Sequence, residues 1–480
     1  MIPMTLAEVA RAVGGRLHGA SGEEMISGSV EFDSRKVTGG GLFVALPGER
    51  VDGHDYAAGA VAAGAVGVLA ARPVDVPAVL VGEPDAAPDA QSASVLAALS
   101  ALAAEVAHRL PALEIVGLTG SSGKTSTKDL VAAVLAPLGD TVAPPESFNN
   151  ELGHPWTVLR ADRITRHLVL ELAARGLGHI AAQCAVAPPR VGVVLNVGSA
   201  HLGEFGSAEV IARAKGELVE ALPPSVRGGV AMLNADDPRV AAMAGRTVAR
   251  VVTFGRSPAA DVRAEDEELD ELGRAIFRLV TPDGEAEVAL QLFGAHQVSN
   301  ALAAAAVGLE LGADPEQIAD ALSAAQPASK WRMEVTERPD GVTVINDAYN
   351  ANPESMRAGL EALATIAGDA RRGWAVLGGM GELGEGSLDA HAEVGRLAAR
   401  LGVPKLLGVG PGEGPDGYRS GYGEESMVVP DVAAALEVLH DRLRPGDVVL
   451  VKASRAAGLQ RIAEGLLADS GPSGSGEGGT

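Results

Sequence analysis

The chain reads as an α/β protein of three domains, with a central phosphate-loop, mononucleotide-binding parallel sheet between two further α/β units. Three observations point there. Short apolar runs alternate with helical patterns over most of the sequence, as expected for strands covered on both faces by crossover helices. One such run, Ile115 to Leu118, meets a Gly-Ser turn and then Lys124-Thr125 at a helix start. At 480 residues the chain also exceeds what one hydrophobic core supports, so two or three domains are expected.

Composition narrows the class. The hydrophobic fraction is 47% and the aromatic fraction 3%, so the core must come from Ala, Val and Leu. A formal net charge of −23 repels nucleic acid and anionic membranes, which argues against a nucleic-acid motor despite the phosphate loop. A single cysteine, Cys184, excludes an intramolecular disulfide and a Cys-based metal cluster, and its apolar helical surroundings make it a core residue. The N-terminus lacks a basic leader, and the apolar stretch from Ala57 to Ala71 is broken by glycine and too short to span a bilayer. The expected compartment is the cytoplasm.

The first segment, residues 1–111, opens with a helix from Thr5 to Val13, capped by Thr5 and Glu8. Strands are expected around Val30 to Lys36, Gly41 to Leu46 and Gly67 to Ala70, with helices from about Tyr56 and after Pro88. Pro111 ends the last helix and marks a boundary. The second segment, 112–327, carries strands at Ile115–Leu118, His167–Glu171, Val191–Asn196, Val230–Leu233 and Val251–Phe254. Antiparallel edge strands follow between Asp261 and Leu292 around the turn Pro282-Asp-Gly284, and then two helices, Val298–Leu311 and Pro315–Ala325. The third segment, 328–469, alternates again: strands at Val342–Asn346, Trp374–Leu377, Leu406–Val409 and Val448–Val451, and helices at Ser355–Ile366, His391–Leu401, Asp431–Leu443 and Leu459–Leu467. A Gly-rich loop is expected after Val409, and a Gly/Ser-rich disordered tail over 470–480.

The phosphate loop, Gly120-Ser121-Ser122-Gly123-Lys124-Thr125-Ser126, carries the first chemistry. Its glycines let backbone N–H groups face an anion, Lys124 reaches the β/γ-phosphates, and the Thr125 hydroxyl suits Mg²⁺. The first glycine of the longer Walker pattern is replaced by Leu118. Glu171 ends an apolar strand, where it is either a metal-serving carboxylate or a solvated strand-end charge. His201 follows the turn Gly198-Ser-Ala200 on the same rim of the sheet, as a structural imidazole or a site residue. Lys215 sits in a helix beside that rim, and on sequence physics alone is a solvated charge. In the third segment Asn346-Asp-Ala-Tyr-Asn-Ala-Asn-Pro353 links a strand to a helix, with Asn352 as N-cap. Arg332, Asp347 and Tyr349 would face the phosphate loop if the domains close, and Gly378 to Gly384 forms another Gly-rich strand end.

Together these motifs resemble the Mur ligases, ATP-dependent amide-bond-forming enzymes of peptidoglycan synthesis. The resemblance spans nearly the full length. It rests on Asp33-Ser-Arg-Lys-Val37, Leu42 to Gly48, Asp52-Gly-His-Asp55, Asn149-Asn-Glu-Leu-Gly-His-Pro155, Asp347 to Pro353 and Gly379-Met-Gly-Glu-Leu-Gly384. His154 stands where a small aliphatic residue is expected, and Gly379 where an aspartate is common. The resemblance implies a smaller N-terminal domain that binds a UDP-linked substrate and a Rossmann-like C-terminal domain. It implies UDP-N-acetylmuramoyl-tripeptide and D-alanyl-D-alanine as substrates, a monomer, and no nucleic-acid or membrane partner. Ser34 and Arg35 would hold the uridine-diphosphate end. Asn149, Asn150, Asn350, Lys452, Ser454 and Arg455 would line the substrate path. Asn300 would contact adenine, and Arg332, Asp347 and Tyr349 the rest of the ATP. Thr125 and Glu171 would hold Mg²⁺, His201 would help hold a second ion, and a CO₂-derived carbamate on Lys215 would be an oxygen ligand for Mg²⁺. Two other readings remain open on sequence alone: a ligase of the same family with a different acceptor, and a nucleotide-binding scaffold without catalysis.

Overall fold

The computed structural model describes residues 1–48, 51–198 and 202–468. His201 and the tail expected over 470–480 lie outside them.

Each of the three large sheets falls within one of the three segments. In the first, five strands run in the order Arg16–His18, Ala78–Leu80, Ala65–Ala70, Gly41–Val44, Val30–Glu31, all parallel except the first. The strand expected to reach Lys36 stops at Glu31. Asp33 then accepts the Arg35 amide and starts the short turn Ser34–Lys36, a local side-chain bond that competes with strand pairing. Thr5 and Glu8 close the expected capping box on helix Leu6–Ala12.

Nine strands build the central sheet. Glu114–Thr119 lies between Val191–Val194 and His167–Glu171, and the parallel series continues outward through Val230–Asn234, Arg250–Gly255 and Val262–Leu269. Arg274–Thr281 and Gly284–Phe293 then add the antiparallel edge expected around the Pro282-Asp-Gly284 turn. Six strands form the third sheet, parallel apart from Glu334–Glu337 at its edge.

The Gly-rich stretch expected to be a loop after Val409 is instead helix Glu413–Tyr422, followed by strand Met427–Val429. Glycine weakens an isolated helix by about 1 kcal/mol relative to alanine, but here close packing overrides propensity. A Cβ at Gly417 would lie 2.5 Å from His391 Cβ, and one at Gly421 1.9 Å from the Ala392 carbonyl oxygen. The glycines let this helix lie directly on helix Ser387–Arg400.

The core of the first segment is continuous with one face of the central sheet. Helix Pro88–His108 buries Val95, Leu99, Leu102 and Val106 against helices Gly153–Val158 and His179–Val186, where Cys184 is also buried. By length and composition that helix passes for a membrane span, yet its apolar face belongs to a protein core.

Candidate active site

Strand Glu114–Thr119 delivers the phosphate loop to the start of helix Lys124–Leu135. Gly123 has φ +80°, and a Cβ there would come within 2.5 Å of Asn300 Oδ1, so backbone and space both require glycine. The Ser121 and Ser122 amides both donate to Asn196 Oδ1 at 2.9 Å. Two N–H groups thus converge on one point, as anion recognition requires. Lys124 Nζ donates to the Gly120 carbonyl at 2.8 Å. Desolvation pulls its pKa down, Glu171 opposes that pull, and Arg332 adds to it.

Glu171 is not a solvated strand end. It is 2% exposed and accepts from Thr125 Oγ1 at 3.0 Å, Ser147 Oγ at 3.0 Å and Asn149 Nδ2 at 2.7 Å. No group of three or more His, Cys, Asp or Glu side chains suited to a metal occurs among the described residues. One carboxylate beside one hydroxyl is an all-oxygen donor set, which fits Mg²⁺ completed by substrate phosphate and water. Lys215, in helix Ala208–Glu220, is 5% exposed rather than solvated. Burial, with Lys124 nearby, drives its pKa far below the usual lysine range.

The third segment meets this loop directly. Arg332 donates to Thr125 Oγ1 at 3.2 Å, and Asn352 Nδ2 to the Ser121 carbonyl at 3.4 Å. Tyr349 packs against both Arg332 and Arg455, whose guanidinium carbons lie 4.1 and 5.1 Å from its ring centre, and it accepts from Arg455 at 3.1 Å. Trp331 and Met333, on either side of Arg332, have φ of +58° and +52°, a left-handed backbone that is rare outside glycine and concentrates at functional sites. Lys452 Nζ donates to Asp347 Oδ2 at 2.5 Å and to the Asn350 carbonyl at 3.1 Å, with both charged groups buried.

Two cavities meet at the loop. One, about 300 Å³, is lined by Lys124, Asn149, Asn150, Glu171, Asn350 and Arg455 among others. The second, about 340 Å³, includes Ser126, Asn196, His296, Asn300, Asp347 and Lys452. Ser122, Gly123, Thr125 and Arg332 belong to both. Ser34, Arg35 and Ser454 line neither. Ser454 bonds its amide to the Gly379 carbonyl. Ser34 and Arg35 sit just beyond Phe32, which packs on Phe148 and Trp156 at 6.1 and 5.6 Å between ring centres. Sequence reasoning missed Ser147, Asn196 and His296. Only Asn196 left a trace, as a polar residue at the expected end of a strand that proves to neighbour the loop strand.

His154 is 2% exposed and faces the Gln183 carbonyl through Nε2 at 3.1 Å. A carbonyl only accepts, so Nε2 carries the proton, and Nδ1 is buried without a partner. Desolvation lowers this pKa from 6.5 to about 4. The unfolded chain therefore binds the proton first as pH falls, and stability drops between about pH 6.5 and pH 4. His154→Val is expected to raise the melting temperature more at pH 5 than at pH 8; equal gains at both would reject this origin.

Comparison with known proteins agrees with this geometry. Three family models match in tandem: "Mur ligase family, catalytic domain" over residues 28–114, "Mur ligase middle domain" over 118–308, and "Mur ligase, glutamate ligase domain" over 331–455. The UDP-N-acetylmuramoyl-tripeptide–D-alanyl-D-alanine ligase of Mycobacterium tuberculosis (strain H37Rv) is 56% identical, over 98% of each chain. Among solved structures, MurF from Acinetobacter baumannii aligns with a TM-score of 0.84 at 31% identity, over 97% of this chain and 99% of that one. MurF from Thermotoga maritima in complex with ADP aligns with a TM-score of 0.77 at 30% identity, over 93% and 98%. The chain belongs to the Mur ligase family.

Proposed function

We propose that this protein joins D-alanyl-D-alanine to UDP-N-acetylmuramoyl-tripeptide at the expense of ATP, forming the pentapeptide precursor of peptidoglycan. The observation that carries the reading is the meeting of two polar cavities at Gly123, Thr125 and Arg332, with Lys124 and a buried carboxylate in one of them. Near-full-length relatives of that activity support it. In this reading residues 1–111 bind the UDP end, 112–327 bind ATP, and 328–469 close over the nucleotide.

ATP would occupy the cavity of Asn300, Asp347 and Lys452, with its phosphates at the turn through Gly123 and Thr125 that both cavities share. Lys124 and Arg332 then offset the repulsion between triphosphate and tripeptide carboxylate. A carboxylate oxygen of the tripeptide attacks the γ-phosphorus as the bond to ADP breaks, giving an acyl phosphate. The dipeptide amine attacks the acyl carbon and loses a proton, and phosphate leaves. The third-segment residues above the loop exclude water from the acyl phosphate. Two Mg²⁺ ions, one at Thr125 and Glu171 and one at His201 and a carbamate on Lys215, would supply further charge neutralisation. Lys215 suits carbamate formation because an amine adds to CO₂ only in its neutral form, which burial favours. The enzyme acts as a cytoplasmic monomer, and its charge of −23 disfavours nucleic acid and anionic membranes.

Phosphate release measured with ATP, UDP-tripeptide and a panel of amines tests the reading. Turnover is expected with D-alanyl-D-alanine. Turnover only with another amine would assign a different acceptor, and ATP binding without turnover would mark a scaffold. A second test concerns the first segment. Arg35 is 87% exposed and paired with Asp33, an arrangement worth little to stability. Arg35→Ala should raise the KM for the UDP-linked substrate and leave the KM for ATP and the melting temperature unchanged. A rise in KM for ATP alone would remove Arg35 from the UDP site.

A further inference from the structure

Lys128 lies one turn beyond Lys124 on the helix that starts at the phosphate loop, and it lines neither cavity. Its side chain is 2% exposed, unusual for a lysine unless its charge is fully engaged. The ammonium has three N–H donors. One reaches the Pro144 carbonyl at 2.7 Å, one the Glu146 carbonyl at 3.1 Å, and the Asp129 carboxylate lies 2.5 Å away. Two donors are thus spent on main-chain carbonyls of a loop further along the chain, and the charge is paired with a neighbour in the helix.

That loop leads to the catalytic carboxylate. Glu146 holds a left-handed backbone with φ +53°, a conformation that a non-glycine residue keeps only when its surroundings enforce it. Immediately after it, Ser147 and Asn149 both donate to Glu171 Oε1. Between them Phe148 turns the other way and packs on Trp156 at 5.0 Å between ring centres. The second oxygen of Glu171 accepts from Thr125, three residues before Lys128 on the same helix. A single helix therefore controls both carboxylate oxygens, one directly through Thr125 and the other through the loop that Lys128 holds.

We infer that Lys128 is a positioning residue that fixes the loop Pro144–Asn149, and through it the Glu171 carboxylate, at the phosphate loop. The inference rests on the ligase reading for its kinetic test, but a metal-binding measurement on the ADP complex tests it independently. Lys128→Met removes all three donors. It is expected to lower kcat about 10- to 100-fold, and to weaken Mn²⁺ binding to the ADP complex, read by electron paramagnetic resonance, by a similar factor. The KM for the UDP-linked substrate should not change. Asp129→Asn leaves both loop carbonyl bonds in place and should keep wild-type kcat and Mn²⁺ affinity. Lys128→Gln keeps two N–H donors on one nitrogen but loses the charge and some reach, and should fall between; it decides the matter if the methionine variant does not fold. Wild-type kcat and Mn²⁺ affinity in Lys128→Met would overturn the proposal, as would an equal loss in Asp129→Asn, which would assign the effect to the ion pair. If the wild type itself fails to turn over, the ligase reading falls, while the Mn²⁺ comparison still reports on Lys128.

Discussion

Replacing Lys215 with arginine is expected to lower kcat by on the order of 10³-fold, the scale set by losing a preorganised group that stabilises transition-state charge. Arginine keeps a positive charge at any accessible pH, so it cannot become the neutral amine that adds to CO₂. The site it would enter is nearly closed, at 5% exposure, and already lies near Lys124. Some of the loss in that variant will therefore come from a charge forced into a desolvated place. Lys215→Met separates the two effects, since it removes the amine without adding charge. It should be as inactive as the arginine variant yet more stable than the wild type in CO₂-depleted buffer. The folded-state pKa of Lys215 is depressed, so below the unfolded value of about 10.4 the unfolded chain binds a proton that the folded chain refuses. Burial of this amine costs stability at pH 7, and the cost shrinks as pH rises toward 10. The melting-temperature gain of Lys215→Met should shrink in the same direction. Near-normal phosphate release in either variant would remove the carbamate role.

Much of the scaffold could be read from the chain because its strands are local events. Buried parallel strands appear as uninterrupted apolar runs, and Ile115–Leu118, His167–Glu171 and Trp374–Leu377 differ from the observed strands by two residues at most. Failures came where distant packing overrides local preference. The glycines of helix Glu413–Tyr422 look like loop residues until helix Ser387–Arg400 is laid against them. The site divides in the same way. The phosphate loop is contiguous, and its glycines, lysine and threonine announce their task. Whether Glu171 and Lys215 are buried depends on elements far away in sequence, so their spacing said nothing about it. Asn196 reaches the Ser121 amide across 75 residues, and Arg332 reaches Thr125 across 207. The place of Arg332 at the start of the third segment let it be expected to face the loop, whereas nothing in the motifs announced that Asn196 would hold the loop amides.

The Glu171→Gln variant should lose roughly 100-fold in kcat, and the reason lies in which way each proton points. Arg332 has no acceptor atom, so it donates to Thr125 Oγ1, and an ionised Glu171 can only accept, so the Thr125 hydroxyl donates to it. On its other side the carboxylate receives Asn149 Nδ2 and the Ser147 hydroxyl. An ionised carboxylate accepts all of these at once. Glutamine offers one oxygen and one NH₂ group in the same shape. With its NH₂ toward Asn149 it sets donor against donor; with its NH₂ toward Thr125 the hydroxyl must rotate and accept instead of donate. Neither orientation restores the negative charge proposed to hold Mg²⁺. Titrating Mg²⁺ during phosphate release distinguishes lost charge from lost shape. In Glu171→Gln the Mg²⁺ needed for half-maximal rate should rise, and saturating Mg²⁺ should not recover kcat. Glu171→Asp keeps the charge but is one methylene shorter, so it cannot span from Thr125 to Asn149. It should recover rate as Mg²⁺ is raised. A wild-type Mg²⁺ dependence in Glu171→Gln would place the metal elsewhere and leave Glu171 as the anchor of the Ser147–Asn149 loop.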